Sequence, residues 1–205
     1  MLPDDFQDAT REAIDLRYAL LPHYYTLFWD ANQKLQPILQ PMYYVYPEIE
    51  SEEIKTEENQ FFLGDEIAVK PVIEAGASSV EVLLPAQVNF YDYFTGEEVD
   101  NSKGKITQAV DLHSIPMYVR GGSVVPRRDR KRRSAELMLN DPYTLLIALD
   151  KNGEASGHLY ADDAISFDYK TKNDFLVSDI SVKDGVISGK AVSYTHLTLP
   201  TTERV

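Results

Sequence analysis

The sequence predicts a mainly β fold with one long helix in front of it. Three observations carry this. Short runs rich in Val, Ile, Tyr and Phe recur from residue 38 to residue 190, with Gly, Asp and Asn turn signals between them. Ahead of them, Ile14, Tyr18, Leu21, Tyr25 and Phe28 recur at alternating spacings of four and three, the period of a helix. Between the two ends, His113 to Pro126 (HSIPMYVRGGSVVP) reads as strand, tight turn, strand, because Gly121-Gly122 takes positive φ at little cost.

The helix spans residues 5–35. Ala13, Leu20, Tyr24 and Leu27 add a second stripe, so the apolar face is wide and the helix is expected to be mostly buried. Pro22 lacks a backbone donor and clashes with the preceding turn, which predicts a kink or break near Leu21. The strands that follow offer this face no helical partner, so the helix reads as part of a domain whose remainder is absent. Gln36-Pro37 ends it. Ile38 to Tyr46 is strand-like, with Pro41 marking an edge or an irregular start. Pro47 to Asn59 reads as a solvated acidic loop rather than a cation or partner site.

Strands follow at Ile67 to Val72, Val80 to Leu84, Phe90 to Phe94 and Ile106 to Leu112. The period of two puts Ile106, Val110 and Leu112 on one face of the last. The spacing suggests an antiparallel sandwich over 38–126, closed by the 113–126 hairpin. Arg127 to Arg133 (RRDRKRR) has six basic residues in seven. It reads as an exposed linker rather than a nucleic-acid patch, since no basic face extends beyond it. A second β-unit over 127–190 has strands at Tyr143 to Leu149, His158 to Ala161 and Phe175 to Val182. Asp184-Gly185 then turns into Val186-Ile187. It counts too few strands to be complete. Asp162, Asp163 and Asp168 lack the spacing of a calcium loop and read as a polar turn. Residues 191–205 (AVSYTHLTLPTTERV) break the pattern and read as a non-native tail, so His196 carries no functional weight.

Composition sets the outer bounds. With 43% hydrophobic and 11% aromatic residues, 205 residues can build one or two packed cores. A net charge of −13 argues against general affinity for nucleic acid or anionic membrane. Without cysteine there is no disulfide or thiolate metal site, and no apolar run is long enough for a membrane span. The N-terminus lacks a signal-peptide pattern, so the chain is expected to be cytosolic or to begin inside a longer one.

Four segments together resemble glycoside hydrolase family 31. Arg17 to Leu27 (RYALLPHYYTL) looks like the family's last barrel helix. Gln60 to Val72 (QFFLGDEIAVKPV) is similar to its "QF..G..LLV.PV" strand pair, and Ile115 to Pro126 to its "IP.F.RGG.IIP". Arg130 to Asp163 shares a basic stretch, a "DP.TL..AL" strand and paired aspartates with one member type. The likeness runs in order over residues 5–190. It departs at Gln40, where Arg is usual, at Asn89 to Asp92 in place of "WYD", and at Ala164 in place of Gly.

The resemblance implies a truncated (β/α)₈ barrel over 1–37, a proximal β-sandwich over 38–126 and an incomplete distal β-domain over 127–190. It also implies a parent α-glucosidase that trims terminal α-linked glucose from oligosaccharides, including N-glycans in the endoplasmic reticulum lumen, with a β subunit as partner. Retaining glycosidases need two carboxyl groups ~5–5.5 Å apart. In this family both are aspartates on barrel loops, the nucleophile in a "W.DMNE"-type motif that these 205 residues lack. No catalytic, cofactor or metal residue is therefore assigned. Arg120 reads as a packing residue, and Tyr91 and Tyr93 as core or cross-strand pairs rather than a sugar platform. The chain itself is expected to be inactive and, with a bare helix face, poorly soluble. The alternatives are a fragment of another family 31 α-glucosidase or α-xylosidase, a stand-alone carbohydrate-binding β-module, and a nucleic-acid binder built on 127–133.

Overall fold

The structure is a computed structural model that describes residues 3–193. It begins with two helices where one was expected, α1 (Asp4–Ala19) and α2 (Leu21–Lys34). The break falls at Leu20, just before Pro22, which sits in the first turn of α2 where its missing donor costs nothing. Asp4 and Asp5 lie in the first turn of α1 and Arg17 in its last, matching the helix dipole. Leu35 closes α2 in the left-handed conformation, at φ 58°.

The segment expected as a strand over 38–46 is mostly not one. Strand β1 (Leu39–Pro41) gives way to a helical turn, α3 (Met42–Val45), which turns Met42 and Tyr46 into the core. Pro41 lies on an edge strand, where a missing donor is tolerated. The acidic loop contains a short helix, α4 (Glu52–Thr56), capped by the Ser51 hydroxyl accepting from the Ile54 N–H. Next come β2 (Phe61–Leu63), β3 (Ile67–Val69), β4 (Ser79–Leu83), β5 (Phe90–Asp92), β6 (Lys105–Ala109), β7 (Met117–Arg120) and β8 (Ser123–Arg127). Beyond the basic stretch are β9 (Thr144–Ala148), β10 (Ala155–Ala161), a helical turn α5 (Asp168–Thr171), β11 (Leu176–Lys183) and β12 (Val186–Ser193). The tail assigned to 191–205 begins inside β12, and residues 194–205 lie outside the described residues.

Three sheets result. One runs β1-β2-β3-β7-β5, a second runs β12-β11-β10-β8-β9, and β4 pairs with β6. Strand alternation gives the first sheet two buried faces. Phe62, Ala68, Phe90 and Tyr118 pack with Val82 and Leu83 of β4 and with Met42. On the other face Leu63, Ile67, Met117 and Val119 meet Leu20 and Leu27 from the helices, together with Val125 and Ala148 of the second sheet. Val110 and Leu112 both lie past the end of β6, and Val110 is buried while Leu112 is exposed, so the shared face expected for Ile106, Val110 and Leu112 does not extend through the segment.

The expected hairpin at 113–126 is not a hairpin. Strand β7 pairs with β3 and β5, whereas β8 pairs with β9 and, in parallel, with β10. The chain changes sheets at Gly121-Gly122. A Cβ on Gly121 would come within 2.8 Å of the Leu149 carbonyl oxygen, and Gly122 has φ +92°, so the crossing needs both glycines. The Gly121 N–H donates to the Asn89 carbonyl and the Gly122 N–H to the Ala148 carbonyl, both at 2.8 Å, which ties the crossing to both sheets. Strand β8 thus belongs with the strands after it, and the second sheet holds five strands among the described residues. The Asp184-Gly185 turn has positive φ at both residues (52° and 74°), as a two-residue hairpin requires.

The two helices differ in burial. α1 buries no residue, while α2 buries Pro22, His23, Thr26, Leu27 and Asp30. The expectation of a mostly buried helix therefore holds only for one face of α2. Ile14, Phe28 and Leu35 stay 48%, 59% and 87% exposed.

Candidate functional site

Where α2 meets both sheets, polar side chains from distant parts of the chain surround a cleft of about 390 Å³. α2 brings Asp30 and Lys34, and the turn after β2 brings Asp65 and Glu66. The sheet crossing brings Arg120 and Ser123, and β10 brings His158. Gly64, at φ +64°, opens that turn, and a Cβ there would fall 2.0 Å from a Glu66 carboxyl oxygen. The glycine therefore makes room for the carboxyl group.

The charges are arranged in pairs. Asp30 takes Lys34 Nζ at 2.6 Å on one oxygen and His158 Nε2 at 2.8 Å on the other. Burial pushes its carboxyl up, but the bonds from His158 and Lys34 outweigh this and hold it below the ordinary carboxylate value. Arg120 meets Asp65 at 2.5 Å. Glu66 has no such cation at close range. It accepts from the Asp65 N–H at 3.0 Å and lies 3.8 Å from His23 Nε2. Burial, then the charge of Asp65, pushes Glu66 up to about 8. His23, 2% exposed, is driven the other way, down to about 4, chiefly by burial. Burial therefore disfavours the charged form of both groups. Arg120 Nε and the Ser123 hydroxyl are buried without a hydrogen-bond partner.

The residues singled out in the sequence fall elsewhere or take structural parts. Arg120 is the exception, since it pairs with Asp65 and also lines the cleft. Tyr91 donates to the Leu149 carbonyl at 2.9 Å and Tyr93 is buried between the sheets. Asp162 accepts the hydroxyls of Tyr25 and Tyr160, each at 2.7 Å, and Asp163 caps its own turn through the Ile165 and Ser166 N–H groups. Asp168 pairs with Lys172 at 2.8 Å. Among the described residues no cluster of three His, Cys, Asp or Glu could hold a metal ion. The basic run is tied down. Arg132 bonds both oxygens of Asp141 (2.6 and 2.8 Å), Arg128 stacks over Tyr143 and donates to the Leu139 and Asp141 carbonyls, and Lys131 reaches Asp15 at 2.5 Å. His196 lies outside the described residues. Sequence reasoning missed Asp30, Glu66, Ser123 and His158 as a group. The one available signal was an acidic pair set inside the apolar run QFFLGDEIAV.

Comparison with known proteins adds context. Residues 35–125 match the family model described as the glycosyl hydrolase family 31 C-terminal domain. Neutral alpha-glucosidase AB of Mus musculus is 38% identical over 201 residues, covering 98% of this chain and 21% of that protein. A crystal structure of a glucosidase II alpha subunit with Glc1Man2 bound superposes with a TM-score of 0.82 at 37% identity, covering 88% of this chain and 19% of that one. The ER glucosidase II heterodimeric complex, a catalytic subunit with the binding domain of a regulatory subunit, gives 0.81 at 34% identity, covering 91% of this chain and 20% of that one. The chain thus spans about a fifth of the length of the relatives it matches.

Proposed function

We propose that this chain, which belongs to glycosyl hydrolase family 31, forms the C-terminal β-structure that buttresses the catalytic barrel of an α-glucosidase of the glucosidase II α-subunit type. The parent enzyme hydrolyses terminal α-linked glucose from oligosaccharides with retention, trims N-glycans in the endoplasmic reticulum lumen and pairs with a regulatory β subunit. The likeness to neutral alpha-glucosidase AB and to the glucosidase II structures supports the type.

The observation that carries the buttress role is the bare face of the helices. Ile14 on α1, Phe28 on α2 and Leu35 at the C-cap of α2 stay exposed, while the opposite side of α2 is packed on both sheets. An apolar stripe of this kind needs cover, and a barrel packed against the helices supplies it. Of the carboxylates in this chain, Asp30 and Asp65 are ion-paired and Asp162 accepts from two tyrosine hydroxyls.

The test is a chimera in which residues 3–193 replace the matching part of mouse neutral alpha-glucosidase AB. The chimera is expected to hydrolyse an aryl α-glucoside, and Phe28→Asp with Ile14→Asp is expected to abolish this. A folded chimera without activity, or one indifferent to the double substitution, overturns the reading. So does turnover by the purified 205-residue chain alone.

A further inference from the structure

We propose that Arg130 to Ser134 is a processing site, cut after Arg133 by an endoprotease whose acidic subsites read consecutive basic residues, and that the cut chain persists as a folded two-piece molecule. The site does not depend on the buttress role, and the two are tested separately.

Six of the chain's 20 Lys and Arg residues fall within Arg127 to Arg133, although the net charge is −13. Residues 128–135 belong to no helix or strand. The Arg128 N–H donates to the Ala19 carbonyl at 2.9 Å, but from 129 to 134 no main-chain group bonds to another. A partner that reads charge alone has no use for a bare backbone. A protease does, because it takes its substrate as an added strand and pairs with those N–H and C=O groups. The side chains stand out to be read. Arg130 is 63% and Lys131 79% exposed, and Arg133 is exposed with no ion-pair partner among the described residues. Hydrolysis adds water across the Arg133–Ser134 peptide bond, leaving a carboxylate on Arg133 and an ammonium on Ser134. Asp141 restrains the site. Its buried carboxylate holds Arg132 through both oxygens, at 2.6 and 2.8 Å, and Arg130 at 3.4 Å. The segment therefore opens to a protease only when both arginines leave Asp141. The fold tolerates the cut. Strand β8 precedes it and β9 and β10 follow it, yet β8 lies between those two in the second sheet, so both pieces share one ladder. Arg128, upstream of the cut, also donates to the Leu139 and Asp141 carbonyls beyond it.

The test is limited digestion of the full 205-residue chain, at low concentration, with a calcium-dependent subtilisin-type endoprotease specific for paired basic residues. Mass spectrometry and size exclusion follow the products. Residues 1–133 and 134–205 are expected, migrating together in native buffer and apart in denaturant. Arg133→Ala should abolish the cut. Asp141→Asn frees Arg130 and Arg132 and should speed it about tenfold, the worth of one charge-assisted hydrogen bond, because cleavage tracks the population of the open segment. Chymotrypsin separates this effect from general loosening, and its digestion rate should be the same in wild type and Asp141→Asn. Three results overturn the proposal: resistance of both proteins to the endoprotease, cuts scattered over the chain, or pieces that part without denaturant. Equal acceleration of both proteases in Asp141→Asn overturns the restraint assigned to Asp141.

Discussion

Helices α1 and α2 carry one continuous apolar stripe, yet the fold treats them differently. α2 is built in. Its Thr26 hydroxyl accepts from the Tyr160 N–H at 3.1 Å, on the side of β10 where β8 pairs only at Ser156. The helix thus takes the place of a strand neighbour. His23 is buried behind it and Asp30 is clamped by Lys34 and His158. α1 is attached at its rim instead. His113 bridges Asp5 and Glu12 at 2.9 and 2.7 Å, Lys131 meets Asp15, and a groove of about 720 Å³ stays open between α1 and the first sheet. The difference teaches that an apolar period marks a face in need of cover without saying where the cover is. For α2 this chain supplies it on one side, and for α1 hardly at all.

Three perturbations sharpen that contrast. The largest effect is expected from Thr26→Val, which keeps the side-chain size but leaves the Tyr160 N–H without an acceptor. A loss of about 2 kcal/mol, the usual penalty for a buried unpaired group, should appear in urea unfolding. A loss within the scatter of surface substitutions would show that α2 does not serve as a strand surrogate.

The second is a pH effect at His23. Its pKa in the folded chain, about 4, lies below its ordinary 6.5. The neutral form therefore stabilises the fold fully above 6.5, and this is lost as pH falls through 4. Glu66, raised from 4.5 to about 8, works in the opposite sense, adding stability as pH falls over that span. Comparison with His23→Asn removes the Glu66 contribution, which both proteins share. The gap between the two melting temperatures should narrow between pH 6.5 and 4. A constant gap would place His23 outside the docking of α2.

The smallest effect belongs to α1. His113→Gln should leave the melting of the sheets unchanged and speed hydrogen exchange and proteolysis over residues 4–19. Bonds from Asp5 and then Glu12 hold His113 up at about 9, above its ordinary 6.5. Its contribution is complete below 6.5 and lost as pH rises through 9, so the wild type above that pH should exchange like the variant. Equal protection of α1 in both proteins would mean that the ion pairs do not hold it.

Much of the fold was legible in the residues. Pro22 marked the helix break, the apolar runs at Ile67 to Val72 and Phe90 to Phe94 marked strands, and Asp184-Gly185 marked a turn. These features rest on local rules. The segment at Ile38 to Tyr46 failed as a strand because the chain turns at Met42 to bury it, which a run of β-formers does not reveal. The cleft was not legible. Asp30, Glu66, Ser123 and His158 are spread over more than half of the chain, and each alone reads as an ordinary polar residue.

The sequence by itself determined that this chain is a β-protein with a helical front, and that residues 35–125 match the glycosyl hydrolase family 31 C-terminal domain. Local periods and short motifs fix those things, because backbone sterics and side-chain alternation act over a few residues. Only the tertiary structure decided that β7 and β8 part company at Gly121-Gly122, that α2 stands in for a strand beside Tyr160, and that a charged cleft opens where the three meet. Two adjacent strands with a glycine turn satisfy the hairpin rule equally well paired or parted. The choice is made by the surfaces each strand can bury and by the distant backbone groups that accept the Gly121 and Gly122 N–H bonds, and neither is written in the local pattern.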